Sequence, residues 1–360
     1  MPTENQLDFA LEQQVDTSSS ILLTCDLHLT DSLVEAYRWD VFKFIKEACK
    51  KYNVNHIFIL GDTTDRVDRH SGELLNKFAR ALSNLHDETG AQIWITQGNH
   101  DRQIKGTPYW EILNKLGTAV QYITEPINFG YQNVLILPFS TNPLEEWKNF
   151  DLATYNAILM HQTVAGSLVE GDYKLEVDSN PMPSLSDKVV AYSGDVHRPQ
   201  TVGRITYIGA PHPVKYSESW PNRFIIIKDS KWKEPISEWI RPVHRDIYDL
   251  DRDCDDRVLL GLQKGDQIRI RYHLTAKDLT EWPVKEEYWK KWCSKKGIYL
   301  ASLEAILSDD ITTDTDTKEE KASTLELLNP EEALKLYASE EKLSEDVINV
   351  GLEPMKEARK

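Results

Sequence analysis

The ten residues QIWITQGNHD, 92–101, decide how the rest of the chain is read. Gln92–Thr96 is rich in the β-branched and aromatic side chains that suit a buried strand. It runs straight into Gly98, Asn99, His100 and Asp101, which are poor core material and good ligands. Two upstream segments repeat the arrangement. ILLTC (21–25) leads into Asp26 and His28, and HIFIL (56–60) leads into Gly61 and Asp62. Between these runs the period changes. Val34, Tyr37, Val41, Ile45, Ala48 and Tyr52 recur in steps of three and four, which marks one face of a helix. GELLNKFARALSNL (72–85) does the same, with Leu75, Phe78, Leu82 and Leu85 turned inward. Strands alternating with helices predict a parallel sheet covered by helices.

Downstream, strand-like runs come with fewer helices: 133–138, 156–161, 188–193, 204–209 and 223–228, with a long polar loop at 166–187. Two of these also end at ligands, NAILMH at His161 and KVVAYS before Gly194, Asp195 and His197. The expected fold is α/β, a layered β-sandwich with flanking helices. Domain boundaries are expected as follows. A loose polar arm covers 1–19, with neither the basic start nor the apolar run of a signal peptide. The main domain covers 20–235. A small α/β cap covers 236–308, where DQIRIRYHL (266–274) alternates and KEEYWKKWCSKK (285–296) reads as a helix. An acidic linker covers 309–324. C-terminal helices cover 325–360, where Asn329, Pro330 and Glu332 form a helix-start signature.

Net charge is −16, which argues against indiscriminate binding to nucleic acid. Half of it lies in 309–360, which holds 15 acidic and 7 basic residues, whereas 263–300 holds 9 basic and 5 acidic ones. A basic surface therefore remains available. No run is long enough for a membrane span. The four cysteines have no paired spacing, so reduced thiols in a cytoplasm are expected.

In an open α/β sheet the ligand crevice lies at the carboxyl ends of the strands. Asp26, Asp62 and Asp195 would converge there. Two bare carboxylates about 4 Å apart repel by roughly 4 kcal/mol at an effective dielectric near 20, so the cluster calls for cations or protons. Oxygen and imidazole donors without thiolates suit Mn²⁺, Fe or Zn²⁺ over a soft metal.

The series DLH, GD, GNHD, H and GDVH, spread in that order over 26–197, resembles the five boxes of the calcineurin-like metallophosphoesterases. The resemblance implies two divalent ions, Mn²⁺ foremost with Mg²⁺, Fe or Zn²⁺ as alternatives. Asp26, His28 and His197 would hold one, Asn99 and His161 the other, and Asp62 would bridge. That family usually ends its last box Gly-His-x-His. Here Asp195 stands at the first of those histidines and by position would serve the second ion. The resemblance also makes His100 the group that serves the leaving oxygen, with Asp101 orienting it. Arg66, Arg69 and His70 lie close in sequence to Asp62 and are candidates for substrate contact.

Within the superfamily the chain is similar to SbcD-type DNA repair nucleases and phage-encoded phosphoesterases, on ILGDTTDRVDRHSGELLNKF and GDVHRPQTVGRITYIGAPHPVKYSESWPNRF. This implies a DNA exo- or endonuclease, in the host cytoplasm if phage-encoded, with 236–308 as DNA-recognition cap. Segment 325–360 would dock on an SbcC-like coiled-coil ATPase, and a homodimer is carried over. On the cap, Arg269, Arg271 and His273 share one strand face and are candidate DNA contacts, with Lys290, Lys291, Lys295 and Lys296 nearby. Two other classes stay open, a serine/threonine protein phosphatase and a non-catalytic metal scaffold.

Overall fold

The structure is a computed structural model of the 360-residue chain. It describes residues 20–307 except 68, 103–107, 116, 118, 131, 170–172, 252–258 and 276–277. The arm 1–19, the linker 309–324, the tail 325–360 with its expected ATPase contact, and Cys254 lie outside the described residues. The chain divides into two units, 1–273 with 280–306, and 274–279 with 307–360. Everything below concerns the first.

Strand β1 (Ser20–Thr24) pairs in parallel with β2 (Val54–Leu60), which pairs with β3 (Gln92–Thr96), which pairs with β4 (Val120–Ile123). This is the parallel sheet that the alternation of strand and helix patterns predicts. On the other side of β1 the sheet continues antiparallel through β11 (Asn222–Lys228) and β12 (Ile236–Ile240). Residues 236–240, read from sequence as the start of the cap, are the edge strand of this sheet. The second sheet has the order β5 (Ile127–Phe129), β6 (Val134–Leu137), β7 (Ala157–His161), β8 (Val190–Gly194), β10 (Ile205–Tyr207), β9 (Gln200–Val202).

Side-chain alternation along each strand sorts residues between layers. In β1, Ile21 and Leu23 join Val134, Ile136, Leu159 and Tyr192 in the core between the sheets. Leu22 points the other way, with Ile57, Ile59, Ile93 and Ile95, against the helices. Those helices are α1 (Val41–Tyr52), offering Phe42 and Ile45, and α2 (Gly72–Thr89), offering Leu74, Phe78, Leu82 and Leu85. Leu75 is only half-buried. A 3-10 turn at Leu33–Asp40 precedes α1, so the predicted face from Val34 to Tyr52 bends rather than running as one α-helix. The Ser71 hydroxyl accepts from Leu74 N–H and starts α2, and Gly90, at φ 70°, ends it. A third core backs the second sheet, where Leu135, Ile158 and Met160 meet Trp147 and Leu152. The architecture is a β-sandwich with flanking helices, as the sequence predicts.

After β12 comes a smaller three-stranded sheet, β13 (Arg245–Leu250), β14 (Gln267–Leu274) and β15 (Tyr299–Leu307), with α3 (Trp282–Lys296) between the last two strands. Ile268, Ile270 and Tyr272 of β14 are buried, whereas Arg269 and Arg271 are exposed. No described helix is long and apolar enough to cross a membrane.

Candidate metal centre

The carboxyl ends of β1, β2, β3, β7 and β8 carry the candidate ligands on short, strained connections. Asp26, His28, Asp62 and Asp195 all have left-handed backbones, with φ of 52°, 41°, 51° and 74°. Each such non-glycine residue costs on the order of 1–3 kcal/mol and persists only where its surroundings over-determine it. Here cross-strand hydrogen bonds do so. Asp26 N donates to Gly61 O at 3.0 Å, His28 N to Asp62 O at 2.9 Å and Leu29 N to Thr63 O at 3.0 Å. Asp195 N donates to Asp26 Oδ1 at 3.1 Å, and His100 N to Asp62 Oδ1 at 2.9 Å. The ligand loops press on neighbouring backbone. A Cβ on Gly98 would lie 2.3 Å from Asp62 Oδ1, and one on Gly194 would lie 2.3 Å from Leu60 O.

Three overlapping groups of potential ligand atoms result: Asp26, His28 and His197; His28, Asp62 and His100; and Asp26, Asp62 and His161. His28 Nε2 and His197 Nε2 face each other at 3.1 Å. The Glu218 carboxylate lies 2.7 Å from His197 Nδ1, which fixes one proton there and leaves Nε2 as the atom whose proton a metal would displace. His161 is fixed similarly. Its Nδ1 donates to Leu60 O at 2.7 Å, so its Nε2 points at Asn99 Oδ1, 2.8 Å away, and at Asp62 Oδ1, 3.3 Å away, and the Asp62 charge favours a proton on it in the metal-free cluster. Ligand atoms this close call for a proton or a cation between them. Two ligands each about 2.1 Å from an ion and at right angles lie about 3 Å apart, close to these separations. Asp62 turns one oxygen to each side: Oδ2 is 3.5 Å from His28 Nε2, and Oδ1 faces His161. Asp26 Oδ2 is buried without a hydrogen-bond partner, as an oxygen placed to hold a cation would be. The donor set therefore fits two divalent ions. Asn99 also fits the ion-free state. With its amide turned, the nitrogen donates to both Asp62 oxygens, at 2.9 and 3.0 Å, and to His161 Nε2.

Protonation follows from this crowding. Burial pushes the Asp26 carboxyl up to about 6, and the Asp62 charge adds to it. Burial would also raise Asp62, but His161, with His28 and His100 beyond it, holds it well below the usual carboxylate range. Burial works against a charged His197, yet the hydrogen bond to Glu218, with Asp26 behind it, brings it up to about 9. Burial holds His28 well below the ordinary imidazole value.

The remaining predicted residues fall into place unevenly. Asp195 lies beside the second cluster, its Oδ1 3.8 Å from His161 Nε2, while Thr163 Oγ1 donates to Oδ2 at 2.5 Å. The His100 ring meets His28 edge-on at 4.9 Å, and its Nδ1 donates to Asp65 O at 2.8 Å. Asp65, unremarkable in sequence, therefore orients His100. Asp101, expected in that role, accepts instead from Thr63 N–H at 3.2 Å and Gly98 N–H at 3.1 Å. It ties together the loops that carry Asp62 and Asn99, and burial pushes its carboxyl up to about 7, with the Asp62 charge adding. His212 donates to Leu27 O at 2.9 Å, between two ligand positions. Arg66, Arg69 and His70 line a cavity that Asp65 shares. Arg269 and Arg271 belong to the third sheet rather than to the strand-end cluster. Glu218 escaped sequence reading because no apolar run ends at it and 21 residues separate it from His197. Arg38 escaped too. It sits on a predicted helix face, yet it is buried and donates to His28 O at 2.5 Å and to Val214 O at 3.2 Å.

The calcineurin-like phosphoesterase family matches residues 19–156. The match stops before His161, Asp195 and His197, so the completion of the cluster rests on the geometry above. Together, match and cluster support a metal-dependent phosphoester hydrolase. No curated protein matches the chain. Among solved structures, the Pseudomonas putida nuclease MPE is similar at 13% identity and a TM-score of 0.30, covering 61% of this chain and 87% of that one. A dimetal phosphatase from Danio rerio is similar at 10% identity and a TM-score of 0.32, covering 62% and 99%.

Proposed function

We propose that the chain is a two-metal phosphodiester hydrolase that cleaves DNA, the nuclease subunit of an SbcCD-like recombination and repair complex of the phage-encoded branch. The observation that carries the reaction class is Asp62, whose two oxygens address different ligand clusters. Divalent cations supply Lewis acidity there, offsetting charge on the phosphate and on the attacking and leaving oxygens. Asp26, His28 and His197 would hold one, Asn99, His161 and Asp195 the other, and Asp62 would serve both. The hard donors at 195 and 99 favour Mn²⁺ over softer ions.

The protein's own groups do the positioning. Glu218 and Leu60 O fix the tautomers of His197 and His161, which keeps their Nε2 atoms inward. Asp65 O holds His100 by Nδ1, so Nε2 is the nitrogen that delivers a proton to the leaving oxygen. Such acid catalysis contributes typically 10²–10⁴-fold. DNA as substrate is supported by the basic balance of 263–300 and by Arg66 and Arg69 in the cavity that Asp65 shares.

The test offers the purified protein, with Mn²⁺, labelled linear DNA, a phosphomonoester and a phosphopeptide, beside a His100→Asn variant. The expected result is DNA degradation that falls by about 10²-fold or more in the variant. Hydrolysis of the phosphopeptide alone would install the phosphatase reading in its place. Inertness towards all three, with or without a coiled-coil ATPase, would favour the scaffold.

A further inference from the structure

We propose that Arg245, on the third sheet, is a positioning residue for the metal centre. It acts through the segment 212–218, which sets Glu218 against His197. The metal role of that histidine rests on the two-metal reading; the positioning itself does not.

The segment reads HPVKYSE, and both of its flanks are fastened. Toward the ligand loops, His212 Nε2 donates to Leu27 O at 2.9 Å, and one Glu218 oxygen lies 2.7 Å from His197 Nδ1. The other Glu218 oxygen accepts from Val214 N–H at 2.7 Å. Val214 O accepts from Arg38 at 3.2 Å and from Arg245 at 2.9 Å. The two polar backbone groups of Val214 are thus committed, its amide to the carboxylate that orients a ligand and its carbonyl to two buried guanidiniums. The same Arg245 nitrogen donates to Tyr37 Oη at 2.8 Å, and Tyr37 donates to Pro213 O at 2.6 Å. Glu35 serves both arginines, its Oε1 lying 2.5 Å from Arg38 and 3.6 Å from Arg245.

What the Arg245 side chain leaves alone is as telling as what it touches. It stands at the start of β13, yet its polar and ring partners among the described residues all lie in 35–37 or 214–216, outside the third sheet. Its guanidinium sits 4.1 Å from the centroid of the Tyr216 ring, and that of Arg269 sits 4.3 Å from the same ring. Desolvating a guanidinium is costly, and here its hydrogen bonds go to the segment that carries Glu218 and to Tyr37. Three hydrogen bonds join the third sheet to a ligand: Arg245 to Val214 O, Val214 N–H to Glu218, and His197 to Glu218. Removing the arginine leaves Val214 O to the longer bond from Arg38 and loosens the carboxylate behind His197. Groups that orient a ligating histidine from behind shift metal affinity by about 10–100-fold. The third sheet therefore serves as scaffold for one of the two ion sites, through His197, and not for the other, where Leu60 O holds His161.

Calorimetric titration of the full chain with Mn²⁺ reads both equivalents in wild type, Arg245→Met, Glu218→Gln and the double variant. Arg245→Met is expected to weaken one equivalent by about tenfold and to leave the other within about twofold. In the Glu218→Gln background the same substitution should add less than about twofold, because the path it uses is already cut. Ile270→Ala, buried in the third sheet and outside this network, is the control, with a lowered melting temperature and both equivalents unchanged. Should Arg245→Met not fold, Arg245→Lys takes its place in the cycle. It keeps a charged donor without the guanidinium's shape, and should weaken the same equivalent by about threefold or more. Imidazole nitrogen spectra in EDTA add a readout with no ion present. The His197 Nδ1 proton should exchange with water severalfold faster in the Arg245 variant and at the wild-type rate in Ile270→Ala. Two unchanged equivalents, equal losses at both, or a loss that adds in full to that of Glu218→Gln overturns the positioning role. So does a His197 proton as protected in the variant as in wild type. If the wild type binds no Mn²⁺ while the Arg245 substitution still exposes that proton, the metal reading fails and the positioning stands.

Discussion

Two regions of this molecule carry polar side chains on strands, and they are built on opposite plans. At the strand ends of the sandwich, Asp26, His28, Asp62 and His161 are almost completely buried, four of the ligand positions hold left-handed backbone, and the Nε2 atoms of His28 and His197 face each other. On the third sheet, Arg269 and Arg271 are exposed on an alternating strand, and their neighbours are largely neutralised. His273 pairs with Asp249 at 2.9 Å, Lys290 pairs with Glu286, and Lys291 pairs with Glu287 at 3.0 Å. Arg269 lies over the Tyr216 ring at 4.3 Å. The first region is held without metal by the Asn99 amide and by protons on its histidines, which a cation would displace, whereas the second is satisfied by its own ion pairs. Burial of ligand atoms is therefore the stronger pointer to chemistry, and exposed charge the weaker.

The sharpest way to break this contrast is to remove the shared ligand. Asp62→Asn takes away the one charge that addresses both clusters, and phosphoester hydrolysis should fall by more than the roughly 10²–10⁴-fold expected for a lost acid. Folding in EDTA should weaken, because the Asp62 charge is held by His161, His28 and His100 and a neutral amide no longer pairs with them. Thermal melting and a steady-state assay together decide it. A variant that melts as high as wild type in EDTA would mean that those histidines do not hold the Asp62 charge.

Glu218 tests whether the strand-end region depends on residues outside the five boxes. Its carboxylate receives His197 Nδ1–H and, through its other oxygen, the Val214 N–H at 2.7 Å. Val214 O in turn accepts from Arg38 and, at 2.9 Å, from Arg245 of the third sheet. Glu218→Gln should weaken metal binding by about 10–100-fold, as loss of a carboxylate behind a ligating histidine does elsewhere. Glu218→Asp should recover part of it. Calorimetric titration with Mn²⁺ reads this directly, and an unchanged affinity in Glu218→Gln would confine the site to its boxes.

Much of this was legible in the sequence, and the limits were physical. The period near 3.6 from Phe78 to Leu85 is set by which side must be dry, so the inward face of that helix could be assigned from it, whereas the continuous apolar run Ile21–Leu23 marks a strand without saying which layer each residue faces. Ligands at strand ends announced themselves because Asp, His and Asn follow apolar runs where a core would reject them. Strand β4 was missed because the four residues of Val120–Ile123 are too few to display a period. Asp65 acts on His100 through its backbone carbonyl, and Glu218 acts from a loop, so neither role leaves a mark in residue type or spacing. The self-pairing of Lys290 and Lys291 was readable, since Glu286 and Glu287 stand four residues before them.

Acidity sharpens the contrast in a different way. Asp26, Asp101 and His197 have folded-state values raised to about 6, about 7 and about 9. Burial is the first cause for the two carboxyls. For His197 the partner Glu218 outweighs burial. A raised value means stability that is present below the group's unfolded value and lost as pH climbs through the folded one. Without metal the cluster should therefore lose stability between about pH 4 and 9. Divalent ions, which displace those protons, should restore most at the alkaline end. Melting temperatures with EDTA and with Mn²⁺ at pH 5, 7 and 9 should diverge steadily. A gap that is constant or narrows with pH would mean that these groups are not the ones the ions engage.

The smallest expected effect belongs to the third sheet. Arg271 is exposed, stands opposite Asp249 in the strand register and carries no ring contact, unlike Arg269. Its removal therefore costs little packing and reports on charge alone. If this face contacts a phosphate, Arg271→Ala should reduce the slope of log affinity for DNA against log salt by about one, with a loss of tenfold or less at low salt. Cleavage of a single small phosphodiester should not respond, because the substitution is in the third sheet and leaves the strand-end ligands intact. An unchanged salt slope would show that the face is solvated polar surface, and the whole burden of recognising DNA would move to Arg66 and Arg69.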